Sequence, residues 1–395
     1  MNILICNAGS TSLKFKLFTM PGERVLCEGR VERIGMGGSI FAYRCEGAGA
    51  DLLEEGLTID NYTDGIDRFL RRMTAKDTGA IESLGALDAV AFKTVLSKGH
   101  LGTHVIDEAV LTGMADYMTV APAHNGAYLE AIRVFRRLTP NARLVGAFET
   151  DFHRTIPLKR RLFAVPYDWY EHHGIQKMGY HGASHSYVAE RTGRGRVVSC
   201  HLGGSSSLCA MLDGVSVDNS FGFSLQTGIP HNNRVGELDA FVIPFMLRQG
   251  MTLDEVERAL TKQAGLKGIS GTSGDLRDIE RAMDAGSERA RLAFDMLVDA
   301  IRRTIGAYAA ELNGLDQLAF TGGMGEHSAR LRRAVCEGLT YLGVKIDEQA
   351  NALLSGEGEI SAADSKVRVV VIPANEELMV VRRAHDCLTA TARGV

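Results

Sequence analysis

The sequence predicts an α/β protein of two domains, and three observations carry the prediction. Its 395 residues are 45% hydrophobic and 23% charged, ordinary for a globular chain and ample for two cores of normal domain size. Short apolar runs, several of them rich in β-branched residues, at 2–6, 89–95, 143–148, 196–200, 317–320 and 367–372 read as buried strands, with amphipathic stretches between them. Finally, a strand, small-residue turn and strand at 2–18 is repeated in plan at 196–212.

Taken in order, the first hairpin carries NAGSTS (7–12) at its turn and the second carries GGSSS (203–207). Each turn mixes glycine with hydroxyl residues, so main chain can approach a ligand while N–H and hydroxyl groups converge on it, which suits a phosphate. Either turn alone reads more readily as an ordinary β-hairpin with a polar turn; the repetition favours a nucleotide gripped from two sides. Two helices announce themselves. One begins at the TLDE capping box (252–255). The other begins near Glu288, is expected to carry Leu292, Met296, Ile301, Ile305, Tyr308 and Leu312 inward, and stops at Asn313-Gly314.

Further segments have the strand, glycine turn, helix grammar of nucleotide contact. FTGGMGEHS (320–328) leaves a strand and enters a helix, whose free N–H groups can face an anion. No G-x-x-x-x-G-K-[ST] motif exists, and glycines also serve tight strand-to-helix turns. Asp275 and Arg277 offer a carboxylate and a guanidinium at a helix start, where Asp275 alone would also serve as an N-cap. Polar clusters stand at FETDFH (148–153), GYHGASH (179–185) and HNNRVGELD (231–239). The i, i+4 pair His181 and His185 has zinc spacing, but no third ligand motif accompanies it. Phosphoryl transfer needs positive groups on the equatorial oxygens, a metal bridging phosphates and a positioned acceptor. His181 and Arg234 can supply the first; Asn7, Glu376 and Glu149 can supply hard oxygen contacts of the kind magnesium takes.

Composition excludes other classes. With 44 Lys and Arg against 48 Asp and Glu the net charge is −4, so no positive field exists to hold nucleic acid or an anionic membrane, and neither is expected as a partner. No apolar run approaches the roughly 20 residues of a spanning helix, and the chain opens on Asn2 and Ile3 without a basic leader, so a cytoplasmic protein is expected. The seven cysteines are odd in number and form no C-x-x-C pair; reduced, mostly buried thiols are expected.

Together these motifs resemble the acetate kinase family, short-chain carboxylate kinases of the superfamily that includes sugar kinases, Hsp70 and actin. The resemblance rests on NAGSTSLK (7–14), GYHGASH (179–185), HLG (201–203), GISGTSGDLRD (268–278), IGAY (305–308) and IPANEELM (372–379), and runs nearly the whole chain. It implies a duplicated actin-like (ribonuclease H-like) βββαβαβα fold with an interdomain nucleotide cleft. The first domain is expected over 1–150, joined by a C-terminal helix at 375–395. The second is expected over 151–374, with most nucleotide contacts and the dimer interface of a homodimer. The implied activity is reversible, magnesium-dependent transfer of the ATP γ-phosphoryl to acetate or a related acid. By position, Asn7 and Glu376 resemble the metal pair and Lys14 a phosphate contact. His201, Leu202, Gly203, Gly204 and Ser205, then Asp275, Leu276 and Arg277, then Gly323, Met324, Gly325, Glu326 and His327 occupy the three nucleotide loops. His181 and Arg234 match the transition-state stabilisers.

The departures cluster around the acceptor. Where the family has HRVVHGG, this chain has FKTVLSK (92–98), so the expected arginine is Lys93, which lacks the planar two-pronged contact of guanidinium. The family's catalytic aspartate is Glu149, one methylene longer. Of the small acyl pocket Val95 is kept, while leucine, phenylalanine and proline become Ala123, Tyr180 and Leu225. Gly204-Ser205 stands for Asn-Gly, and His327 for an asparagine. Two further readings follow: a nucleotide-binding protein with lost or redirected catalysis, argued from Lys93 and Glu149, and a kinase using another donor such as pyrophosphate, against which Asp275, Arg277 and Gly323 speak.

Overall fold

The computed structural model describes residues 1–393, for residues 122, 123 and 391–393 as backbone only. The chain divides into two compact units, 1–151 with 375–395 and 152–374.

The first unit is built on an eight-stranded sheet. Its strands are β1 (Asn2–Gly9), β2 (Ser12–Thr19), β3 (Arg24–Glu32), β4 (Ser39–Cys45), β5 (Ala50–Leu57), β6 (Ala89–Phe92), β7 (Thr103–Val105) and β8 (Arg143–Ala147), in the order β5-β4-β3-β2-β1-β6-β8-β7. β1 to β5 form an antiparallel meander, while β1, β6 and β8 run parallel. Parallel strands need helical crossovers that cover them, which is why β6 and β8 read as unbroken apolar runs in the sequence. The helix Tyr62–Met73 is capped by the Asn61 side chain, which accepts from the Asp64 N–H. Its Phe69 stacks on Phe15 of β2 at 4.2 Å, and Phe135 of the helix Pro122–Leu138 meets Phe92 edge-on at 5.6 Å. The final helix, Glu376–Arg393, packs against β1, β7 and β8.

The second unit repeats the plan. β9 (Arg196–His201), β10 (Ser207–Leu212), β11 (Val215–Asn219), β12 (Gln317–Thr321), β13 (Gly358–Glu359) and β14 (Arg368–Val371) lie in the order β11-β10-β9-β12-β14-β13. The run β11-β10-β9-β12-β14 reproduces β3-β2-β1-β6-β8: an antiparallel trio whose first strand continues into two parallel ones. The duplication legible as two similar hairpins is thus a duplication of whole sheet topology. One face of this sheet is covered by the helix Glu288–Glu311, whose Ala293, Leu297, Ile301, Ile305 and Tyr308 are buried. The other is covered by the helix Gly182–Thr192, through Val188 and Ala189.

Two expected core positions are not in the core. Leu292 is 53% and Met296 is 40% exposed. The inward stripe of that helix runs through Ala290, Ala293, Leu297 and Ile301, about a quarter-turn away from the line joining 292 and 296. The helix does end where expected, with Asn313 (φ 54°) and Gly314 (φ 130°) both at positive φ. Thr252 and Glu255 form the reciprocal capping box. All seven cysteines are free, and six of them are buried. Among the described residues no helix is long and apolar enough to cross a membrane.

Candidate active site

The sequence-derived site residues fall into two groups, one in each unit. In the second unit, the loop after β9 and the turn after β12 are tied together by backbone. The Leu202 N–H donates to the Thr321 carbonyl at 2.8 Å, and Met324 and Gly325 donate back to the Leu202 carbonyl. Gly322, at φ 76°, makes that contact possible, because a Cβ there would lie 2.7 Å from the Leu202 oxygen. Gly323, Met324, Gly325, Glu326 and His327 form the short helix Gly322–His327. Within the first loop the Ser206 hydroxyl accepts from the Gly203 N–H, and the Ser206 N–H donates to Nδ1 of buried His231. The Gly204 carbonyl accepts from Asn232, so the segment carrying Arg234 is knitted to the loop carrying Gly204 and Ser205. The Arg234 guanidinium donates to the Leu225 carbonyl at 2.7 Å, and burial lowers its pKa to about 10, which leaves it charged at neutral pH. Asp275 caps the helix Leu276–Asp284 and forms a two-pronged pair with Arg277 at 3.0 and 2.7 Å. That pair holds the Asp275 carboxyl down to about 2. The Arg277 side chain is 86% exposed, open to a ligand.

His181 sits at the start of the helix Gly182–Thr192 in the left-handed region (φ 56°, ψ 31°). A non-glycine residue held there is strained, and the surroundings enforce it. Gly179 before it has φ 73°, and a Cβ would strike the His153 ring at 2.7 Å. His153 in turn bonds the Tyr180 carbonyl at 2.9 Å. The His181 ring stacks on His201 at 4.0 Å. His181 and His185 do not converge on a metal position: both rings bond the Ser207 hydroxyl, at 2.8 Å each. Among the described residues no group of three or more His, Cys, Asp or Glu side chains is arranged to hold an ion. Tyr180 is buried and donates its phenol to the Phe223 carbonyl at 2.7 Å.

In the first unit, Asn7 and Lys14 are direct cross-strand partners on β1 and β2. They line a cleft of about 510 Å³ together with Glu377 and the polar faces of β3 and β4. Lys93, just past β6, places its ammonium 2.7 Å from Glu376 and 3.8 Å from Glu149. Burial works to lower its pKa, and the two carboxylates outweigh that, so the ammonium is held charged well above the ordinary lysine range. Glu149 is 5% exposed, and among the described residues neither of its oxygens accepts a hydrogen bond. Burial raises its pKa, the Lys93 charge opposes and the Glu376 charge adds to the rise. Val95 is buried beside these groups in sequence; the Ala123 side chain lies outside the described residues.

The family profile described as the acetokinase family matches residues 2–382. The chain belongs to this family. An acetate kinase of Clostridium botulinum (strain Kyoto / Type A2) is 40% identical over 396 aligned positions, covering 98% of this chain and 99% of the relative. The crystal structure of Porphyromonas gingivalis acetate kinase superposes with a TM-score of 0.87 at 33% identity, covering 98% of this chain and 99% of that one. A propionate kinase from Francisella tularensis gives 0.88 at 29% identity, with 97% and 98% covered. The fold is therefore the duplicated actin-like fold of these acetokinases.

Several residues that hold these candidate-site segments carry no motif signal. Tyr128 donates its phenol to Asn7 Oδ1 at 2.8 Å. Asn125, fully buried, donates to the Leu96 and Met114 carbonyls. Arg332, 2% exposed, ties the end of the helix Gly322–His327 to Asn351. The one sequence signal they share is a polar residue inside an otherwise apolar helical stripe, which demands an internal partner.

Proposed function

We infer that the protein is a carboxylate kinase that transfers the γ-phosphoryl group of ATP to acetate or a related short-chain acid, giving an acyl phosphate and ADP, and catalyses the reverse. The observation that carries this reading is membership of the acetokinase family over nearly the full chain, with the nucleotide-loop residues present in their order. An oxygen of the acid attacks the γ-phosphorus as the bond from that phosphorus to the β–γ bridging oxygen breaks, and the electron pair leaves with ADP. The attacking carboxylate is already anionic, so no base is needed; the protein's work is positioning and charge stabilisation.

We assign His201, Leu202, Gly203, Gly204, Ser205, Asp275, Leu276, Arg277, Gly323, Met324, Gly325, Glu326 and His327 to nucleotide binding, and Lys14 to its phosphates. His181 and Arg234 would donate to the equatorial oxygens of the transferring group. Lys93 and Glu149, with Val95, Ala123, Tyr180 and Leu225, would shape the acceptor's surroundings. The donor chemistry of Asn7 and Glu376, an amide and a carboxylate oxygen in one unit, fits a magnesium ion that keeps several waters. The hydrogen bond from Tyr128 orients the Asn7 oxygen and leaves it a lone pair for the ion. Bound magnesium would neutralise charge on the phosphates. A homodimer is proposed through the second unit, whose Phe241 (78%) and Phe245 (57%) are exposed apolar side chains. A cytoplasmic location is proposed on the free cysteines.

The test is ADP release from Mg-ATP against carboxylic acids of two to six carbons, with a blank lacking acceptor. Turnover on one acid above the blank is expected and names the acceptor; blank rates with every acid, while ATP still binds by calorimetry, would refute the reading.

A further inference from the structure

We propose that Ser199, His185 and Ser207 form a one-way chain of hydrogen bonds that holds His181 as a neutral imidazole with its hydrogen on Nε2, so that His181 acts as a donor and never as a base. The catalytic consequence rests on the assignment of His181 to the phosphoryl group; the chain itself rests on geometry alone. Ser199 Oγ lies 2.9 Å from His185 Nδ1, His185 Nε2 lies 2.8 Å from Ser207 Oγ, and Ser207 Oγ lies 2.8 Å from His181 Nδ1. Ser199, His185 and Ser207 are fully buried.

Counting hydrogens gives the direction. Among the described residues the Ser199 hydroxyl has one hydrogen-bond partner, His185 Nδ1. If His185 donated there, the Ser199 hydrogen would be buried without an acceptor, and an orphaned donor bears the full desolvation penalty. Ser199 therefore donates to Nδ1. A neutral imidazole has one hydrogen, so His185 carries it on Nε2 and donates it to Ser207. Ser207 has one hydrogen and two ring nitrogens to serve; with His185 donating, its own goes to His181 Nδ1. The neutral His181 ring is left with its hydrogen on Nε2. His185 is suited to this task because burial first, then the neighbouring His153 and His201, drive its pKa well below the usual histidine range and keep it neutral.

The ring is also fixed in place. His201 stacks on one side at 4.0 Å, Phe221 meets it edge-on at 5.3 Å, and the His181 carbonyl accepts from the His185 N–H at 2.9 Å. A neutral donor needs no proton transfer during the reaction, in keeping with an acceptor that arrives deprotonated. His185 and Ser207 are on this account positioning residues, and Ser199 acts through both.

The test is nitrogen NMR of the full-length protein with ¹⁵N-labelled histidine at pH 8, with the His181 signals assigned by their loss in His181→Asn. The wild-type spectrum should show His181 Nδ1 unprotonated and Nε2 protonated; the reverse would overturn the proposal whether or not any variant folds. Ser207→Ala should mix the two His181 tautomers, lower kcat roughly five- to tenfold and leave KM for ATP within about twofold. Ser199→Ala, which touches neither His181 nor any ligand, should shift the same His181 signals and lower kcat about threefold. Loss of kcat with unchanged His181 tautomer in both variants would make these residues merely structural and sink the proposal. The predicted tautomer and its shifts in a protein inactive on every acid would uphold the chain while refuting the assigned function.

Discussion

Replacing Arg332 by methionine tests how the turn after β12, proposed to bind the nucleotide, is held. Its guanidinium makes four hydrogen bonds: Nε to Asn351 Oδ1 at 2.8 Å, Nη2 to the Asn351 carbonyl at 2.9 Å, and Nη1 to the Gly325 and Glu326 carbonyls at 2.9 and 2.8 Å. Methionine fills much of the same volume and leaves all four oxygens unmatched. At about 1 kcal/mol for each buried acceptor, the low end of the range because a carbonyl keeps a second lone pair, the loss is about 4 kcal/mol. Half of it, about 2 kcal/mol, falls on the carbonyls that end the helix Gly322–His327. If that half is expressed as loosening of the glycine turn, KM for ATP rises by up to about thirtyfold, while KM for the acid stays put. Arg332→Lys should recover little, since an ammonium cannot span Asn351 and the helix end together. Urea unfolding and initial rates with varied ATP measure both quantities. A destabilisation under about 1 kcal/mol with KM for ATP unchanged would refute the reasoning.

Three more outcomes are expected. Lys93→Met leaves Glu149 and Glu376 without the ammonium beside them, so unfolding in urea at pH 8 should ease by about 3–5 kcal/mol and turnover should fall to near blank; stability within 1 kcal/mol of wild type would contradict it. Tyr128→Phe removes the donor to Asn7 and should raise the magnesium concentration for half-maximal rate about tenfold, and an unchanged magnesium curve would count against Asn7 as a ligand. His231 has both nitrogens committed, Nδ1 accepting from Ser206 and Nε2 donating to Thr227, and burial, aided by the Arg234 charge, lowers its pKa to about 3. Between about pH 3 and the unfolded value near 6.5, only the unfolded chain takes this proton, so stability falls as pH falls. His231→Gln, which can keep both hydrogen bonds, should therefore flatten the slope of stability between pH 6.5 and 4.5 by up to about 1.4 kcal/mol per unit; an identical slope would refute that account.

The parts of this protein legible in its sequence are those written in local patterns. Strands β1, β6, β8, β9, β12 and β14 read as short, largely apolar runs because they are covered on both faces. The hairpins were readable from hydroxyl and glycine turns, and Asp275 and Thr252 from capping grammar. What was not legible depends on contacts far apart in sequence. Nothing near Tyr128 points to Asn7, 121 residues away, and nothing near Lys93 points to Glu376, 283 residues away. The inward face of the helix Glu288–Glu311 does not follow from its apolar positions, because the helix is apolar on more than one side and Leu292 and Met296 face outward. His185 carried zinc spacing in sequence, yet its partners are the serines of two neighbouring strands, which no i, i+4 rule can supply.

The departures that the resemblance implies are not equivalent once their partners are known. Phenylalanine to Tyr180 adds a polar group in a buried place, but the Phe223 carbonyl takes the new hydrogen at 2.7 Å, so the phenol presents no unmet donor and the change alters little beyond size. Arginine to Lys93 and aspartate to Glu149 are different, because they change charge geometry where water is scarce. The Lys93 ammonium is drawn onto Glu376 at 2.7 Å and stands 3.8 Å from Glu149; a point charge this committed has fewer directions left for an incoming carboxylate than a guanidinium fork would. If Lys93 and Glu149 meet the acceptor as proposed, acceptor selectivity turns on them more than on Tyr180. Restoring the family's pair with Lys93→Arg and Glu149→Asp should move the ranking of acids in the ADP-release assay, whereas Tyr180→Phe should leave that ranking in place. A ranking that follows Tyr180→Phe and ignores the double change would invert the argument.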